Sequence, residues 1–98
     1  MPTISIRRKH TLSHDEAKAA AERVARDLNN RYALAYEWEG DHVVFQRPGL
    51  SGKMHVGQRD VRLDVQLSFL LTPLKRPIEQ QILKEFDTLF GSASPESG

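Results

Sequence analysis

Val61-Arg62-Leu63-Asp64-Val65-Gln66-Leu67-Ser68-Phe69-Leu70-Leu71 alternates, with Val61, Leu63, Val65, Leu67, Phe69 and Leu71 at one set of positions and Arg62, Asp64, Gln66, Ser68 and Leu70 at the other. Successive strand side chains point to opposite faces, so a period of two predicts a long strand with one face under apolar cover and the other largely wet. A strand of this length and pattern belongs in the interior of an antiparallel sheet, and the segments on either side supply its neighbours.

Working back from Val61, Gly57-Gln58-Arg59-Asp60 is a turn and Lys53 to Val56 a short strand. Pro48-Gly49-Leu50-Ser51-Gly52 reads as a loop, because proline removes a ladder donor and glycine permits positive φ. His42 to Arg47 forms a further strand with Val43 and Phe45 on one face. Glu39-Gly40-Asp41 is turn chemistry and closes a hairpin onto a strand in which Tyr32, Leu34, Tyr36 and Trp38 alternate with smaller or charged residues. Four strands thus follow one another as a meander.

Before the meander, Ser13-His14-Asp15-Glu16 is a capping box: the Ser13 hydroxyl accepts from the Glu16 N–H while the Glu16 carboxylate reaches back to that of Ser13. Ala17, Ala20, Ala21, Val24 and Leu28 follow at helical spacing, and Asn29-Asn30 is the expected stop. That inward face is mostly alanine, which lets a helix lie close to a sheet. Thr3 to Lys9, with Ile4 and Ile6 on one face, is a first strand. After the long strand, Thr72 to Arg76 breaks the pattern and Pro77 suits the first position of a helix, where its missing N–H would be unpaired in any case. Ile78, Ile82, Phe86 and Leu89 carry the apolar stripe, widened by Leu83 and Phe90; Gly91 is the expected C-cap and Ser92 to Gly98 a polar, disordered tail.

The predicted fold is α+β, β-α-β-β-β-β-α, in one domain over residues 1–91 with a tail over 92–98. Placing the first strand beside the last gives the sheet order second, third, fourth, fifth, first, antiparallel throughout, with both helices on one face. If the aromatic residues near Trp38 projected from the other face, they would make a partner site, a second copy of the chain among the candidates.

Ninety-eight residues form one modest core, and the absence of cysteine excludes disulfides, thiolate metal sites and thiol catalysis. Fourteen Lys and Arg against thirteen Asp and Glu leave the chain nearly neutral, which argues against a protein that coats nucleic acid. Runs of large apolar residues, Phe69-Leu70-Leu71 among them, are far below the roughly 20 residues that span a bilayer, and the first residues lack the apolar core of a signal peptide. The expectation is a soluble cytoplasmic protein.

Lys9-His10-Thr11-Leu12-Ser13 with Glu16-Ala17, then Tyr36-Glu37-Trp38-Glu39-Gly40-Asp41, then Phe45-Gln46-Arg47-Pro48-Gly49-Leu50-Ser51-Gly52, and finally Pro77-Ile78-Glu79, together resemble the small polyhydroxyalkanoic acid system family of bacteria. The resemblance runs from about Thr3 to Phe90. It implies a place in storage-polyester metabolism, beside polyhydroxyalkanoate granules or their proteins, and brings no catalytic motif with it.

The residues themselves point away from chemistry. Gly49-Leu50-Ser51-Gly52 is one residue short of a nucleophile elbow, and Asp41 and Asp60 are turn formers. His10 and His14 straddle a helix start, while His42 and His55 lie on separate strands and could meet only across the sheet, so no metal site and no cofactor is expected. His10 is better placed as a hydrogen-bonding plug beside the capping box. The expectation is a non-catalytic accessory protein that works by contact. Tyr36, Trp38, Arg47 and Leu50 are the candidate contact residues, an apolar anchor beside an arginine, against the plainer alternative of core packing. Arg7, Arg8 and Lys9 are the alternative, a basic strand that with Tyr32, Tyr36 and Trp38 could touch an anion or a nucleic acid, against the plainer reading of a solvated edge.

Overall fold

The computed structural model describes residues 3–90. Its elements are β1 (Thr3–Lys9), α1 (His14–Tyr32), β2 (Ala35–Glu39), β3 (His42–Arg47), β4 (Leu50–Val56), β5 (Asp60–Leu67), a 3-10 turn (Phe69–Leu71) and α2 (Thr72–Leu89). The five strands form one antiparallel sheet in the order β1-β5-β4-β3-β2, as the alternation of residues 61–67 and the two hairpins require.

Register shows how the alternation builds the core. Ile4, Val65, Gly52, Phe45 and Tyr36 lie side by side across the sheet, and so do Ile6, Leu63, Met54, Val43 and Trp38. Both rows face the helices, where Ala17, Ala21, Val24, Ala25 and Leu28 of α1 and Ile78, Ile82 and Phe86 of α2 are fully buried against them. The opposite face carries Ser5, Asp64, Lys53, Val44 and Glu37 in one row and Arg7, Arg62, His55, His42 and Glu39 in the next. That face has no aromatic side chain except imidazole: Tyr36 and Trp38 project to the helix side.

The capping box forms, with Glu16 N–H donating to Ser13 Oγ and Ser13 N–H to Glu16 Oε1, both at 3.1 Å. Asn29-Asn30 does not stop the helix. It runs to Tyr32 and ends on Ala33, which adopts a left-handed φ of 59° and donates its N–H to Asn29 O, while Asn29 Nδ2 donates to Leu34 O. Asparagine therefore acts from inside the last turn, and Tyr32 belongs to α1 instead of the following strand. Gly40, at φ 61°, takes the first central position of the tight β2–β3 turn.

Three further boundaries differ from the sequence reading. The loop expected over Pro48 to Gly52 is only the Pro48-Gly49 turn, with Gly49 at φ 85°, and β4 begins at Leu50. Proline followed by glycine suits a type II turn, so the chain reverses in two residues and pairing resumes at once, Arg47 opposite Leu50. The long strand ends at Leu67 instead of Leu71. Leu67 pairs with the first residue of β4 and Gln66 with the first of β1, so beyond them no described ladder partner remains. Ser68 N–H donates to Gly49 O and the chain turns into the 3-10 segment. Finally, α2 starts at Thr72, with Pro73 in its first turn and Pro77 inside the helix. Pro73 takes the role expected of Pro77. Pro77 lies on the exposed side, where the Pro73 carbonyl that loses its donor can meet water. The expected Gly91 cap and the tail lie outside the described residues.

Candidate functional site

The aromatic side chains of β2 gather on one carboxylate. Tyr36 Oη donates to Glu22 Oε2 at 2.7 Å and Trp38 Nε1 donates to Glu22 Oε1 at 2.8 Å, while Arg26 Nη2 lies 3.3 Å from Oε2. The Trp38 donor, then the Tyr36 hydroxyl, hold Glu22 below the usual carboxylate range, and donation to that carboxylate pushes the Tyr36 phenol up. Lys18 Nζ stands 5.0 Å from the centroid of the Trp38 ring. Glu22 looks in the sequence like one more solvated residue on the polar side of α1. Its role emerges only when β2 is laid beside that helix.

The four candidate contact residues all lie on the helix-covered side of β2, β3 and β4. Tyr36 and Trp38 are half-buried with their polar atoms bound to Glu22. Arg47 Nη1 donates to Tyr32 O at 2.7 Å, fastening the end of α1 to the end of β3. Leu50, 5% exposed, is part of the core and offers almost no surface. The basic strand is divided by its own alternation. Arg7 and Lys9 face the open side, where Arg7 Nε meets Asp60 at 2.9 Å, whereas Arg8 faces the helices and reaches Asp87 at 3.1 Å. β1 and β2 are the two edges of the sheet, four strand spacings or about 19 Å apart, so the structure does not bring the basic strand and the aromatics together.

A different feature stands free. Phe69 and Leu70 are 76% and 89% exposed, adjacent in the 3-10 turn between β5 and α2. The turn is held from below. Ser68 N–H donates to Gly49 O at 2.8 Å, Leu71 N–H donates to Ser68 O at 3.0 Å, and Leu71 packs partly into the core. A Cβ on Gly49 would sit 3.0 Å from both Leu71 Cδ1 and Ser68 Oγ, so the glycine fits the two turns together. Lys75 and Arg76 follow within the first turns of α2. The signal in the sequence was Leu70, the one apolar residue among the positions that alternation assigns to solvent.

Between the helices, an open groove is lined by Arg23, Asp27 and Arg31 of α1 and Gln81, Lys84 and Glu85 of α2. Glu85 Oε1 is buried with no hydrogen-bond partner, and Gln81 Nε2 donates to its other oxygen. Burial, reinforced by the neighbouring Asp27 carboxyl and opposed by Gln81 and Arg23, pushes Glu85 up to about 7. Folding therefore takes up a proton between the ordinary carboxylate range and pH 7, and the associated stability is complete below about 4.5 and is lost as pH rises through 7. Glu85→Gln should flatten this dependence, gaining about 1 kcal/mol over the native chain at pH 8.5 after allowance for solvent screening. Melting temperatures of both proteins across pH 4 to 9 check this; parallel curves would contradict it.

No group of three metal-ligating side chains occurs among the described residues. Ser51 stands on the open face between Gln46 and Gln66, with no base opposite it. No helix among the described residues is long and apolar enough to cross a membrane.

In comparison with known proteins, the family described as "Putative polyhydroxyalkanoic acid system protein" matches residues 4–90. No curated protein and no solved structure matches the chain.

Proposed function

Because the chain belongs to the polyhydroxyalkanoic acid system family, we propose that it serves storage-polyester metabolism as a non-catalytic accessory in the cytoplasm, docking on the polyhydroxyalkanoate granule through the Phe69–Leu70 corner. The observation that carries this reading is the presence of two adjacent large apolar side chains, three-quarters or more exposed, on a turn braced by Gly49 and Leu71. A polyester surface is apolar and extended, and a protruding corner can meet it without rearranging the fold. Burial of a phenylalanine and a leucine side chain gains roughly 1.5–3 kcal/mol each, before the cost of immobilising the protein. Single copies should accordingly bind reversibly. Lys75 and Arg76, just behind the corner, would attract any anionic molecules that coat the polymer.

Co-sedimentation with purified polyester particles tests the proposal. Phe69→Ser with Leu70→Ser should keep the native melting temperature and reduce the bound fraction at least about tenfold, as loss of that burial requires. A folded Tyr36→Ser, Trp38→Ser double variant should bind as the native chain does, which separates this corner from the β2 aromatics. Undiminished binding by the folded Phe69, Leu70 variant would reject the corner.

A further inference from the structure

We propose that His42 and His55 form a two-imidazole site on the open sheet face for a divalent transition-metal ion of the zinc, nickel or copper class. The residues are direct cross-strand partners on β3 and β4. Their Nδ1 atoms are 3.1 Å apart, with ring centroids at 5.3 Å and planes tilted by 45°. Metal–imidazole bonds are about 2.0–2.1 Å, and two such bonds closing on that separation subtend roughly 98°, between the square-planar and tetrahedral angles. The two nitrogens already stand at the spacing that one ion demands of two cis ligands. The β3–β4 ladder holds both backbones, so little chain freedom remains to be lost on binding.

The same distance also suits a hydrogen bond between the rings, in which one Nδ1 carries the hydrogen. An entering ion takes the lone pair of each Nδ1; the ring that carried its hydrogen on Nδ1 gives that proton up to water and takes one back on the solvent-facing Nε2, so both ligands are neutral imidazoles and no net proton is released. The neighbouring groups on this row set the rest of the site. Glu39 lies opposite His42 on β2 and contributes negative charge. Arg62 lies opposite His55 on β5, with Asp64 4.0 Å from its Nε, and Arg7 beyond it is paired with Asp60. Two protein ligands leave the other coordination positions to water or to an added anion, for which Arg62 is the adjacent cation. The site lies on the sheet face opposite both helices, at the end of the β3–β4 hairpin remote from the Gly49 turn on which the Phe69–Leu70 corner rests, so it can be filled while that corner is engaged.

Titration of the full chain with zinc and with nickel chloride, followed by the imidazole resonances of the four histidines and by melting temperature, tests the site. One ion per chain should bind, perturbing His42 and His55 ahead of His10 and His14 and raising the melting temperature. His42→Ala and His55→Ala should each weaken binding by about tenfold or more, with the metal-free melting temperature nearly unchanged because both side chains lie on the solvent face. His14→Ala should bind as the native chain does. Equal binding by all three variants, or saturation that leaves the His42 and His55 resonances unmoved, would show that the pair is a hydrogen bond only.

Discussion

Gly52→Val should destabilise the domain by about 3 kcal/mol or more, at the upper end of what overpacking costs. Gly52 occupies the centre of the sheet, between Phe45 on β3 and Val65 on β5, on the face that the helices cover. A Cβ built there would lie 2.9 Å from the Asp64 carbonyl oxygen and 2.9 Å from Val65 Cγ2. The first of these is backbone in a paired strand, which cannot rotate aside. β4 and β5 would have to separate locally, and their ladder bonds would lengthen with them. Replacing glycine ordinarily gains stability through the unfolded chain, about 0.4–1 kcal/mol, so the clash must exceed that gain before any loss is seen. For a domain of this size the expected loss lowers the melting temperature by roughly 12–20 °C. Gly40→Ala is the contrast. It meets nothing within 4 Å and is disfavoured only by its φ of 61°, so it should cost about 1 kcal/mol. A Gly52→Val chain that melts with the native one would mean that β4 does not pair with β5 through Gly52, which would restore the loop reading of that segment.

What could be read from the sequence was whatever is written in local spacing. The alternation from Val61 to Leu67 needs only neighbouring residues to state that one face is buried, and the Ser13–Glu16 capping box is satisfied within a single turn of chain. From these, with Gly40 marking a hairpin, the five-stranded order follows. Boundaries that depend on partners were less legible. Gly52 looks like a loop residue until Asp64 and Val65 are set beside it, and Pro48-Gly49 can be a two-residue turn only because Leu50 finds Leu67. Phe69 continued the alternation by type, yet β5 ends where its neighbours begin. The surroundings of the candidate contact residues were hidden for the same reason. Tyr36 and Trp38 have the composition of a contact site, but Glu22, fourteen and sixteen residues before them, binds both their polar atoms. The pairing of His42 with His55 needs the register of one hairpin, which two-residue turns fix and composition does not.

His10→Ala should cost about 2–4 kcal/mol, because this side chain closes three separate parts of the chain at once. His10 is 5% exposed. Its Nδ1 accepts from the Leu12 N–H at 3.2 Å, which assigns the ring hydrogen to Nε2, and Nε2 donates to the Gly57 carbonyl at 3.2 Å. The backbone N–H of His10 donates to Arg59 O, and its ring lies 5.7 Å from that of Phe90. The end of β1, the β4–β5 turn and the end of α2 therefore meet on one imidazole. Alanine would leave the Leu12 donor and the Gly57 acceptor without these partners and open a void beside Phe90, whose ring also meets that of Phe86 at 5.3 Å. Asparagine separates the contributions. Its side-chain oxygen can accept from the N–H two residues on, as Asn does in turns, but it cannot reach Gly57. His10→Asn should therefore recover part of the stability that alanine loses, and His14→Ala, which removes a partly exposed ring 3.3 Å from the Val56 carbonyl and 3.4 Å from Asp41, should cost less than His10→Ala. Chemical denaturation of the three variants decides it. If His10→Ala and His14→Ala lose equal stability, His10 is a surface turn residue and the three segments are held together by Phe90 and the ladder alone.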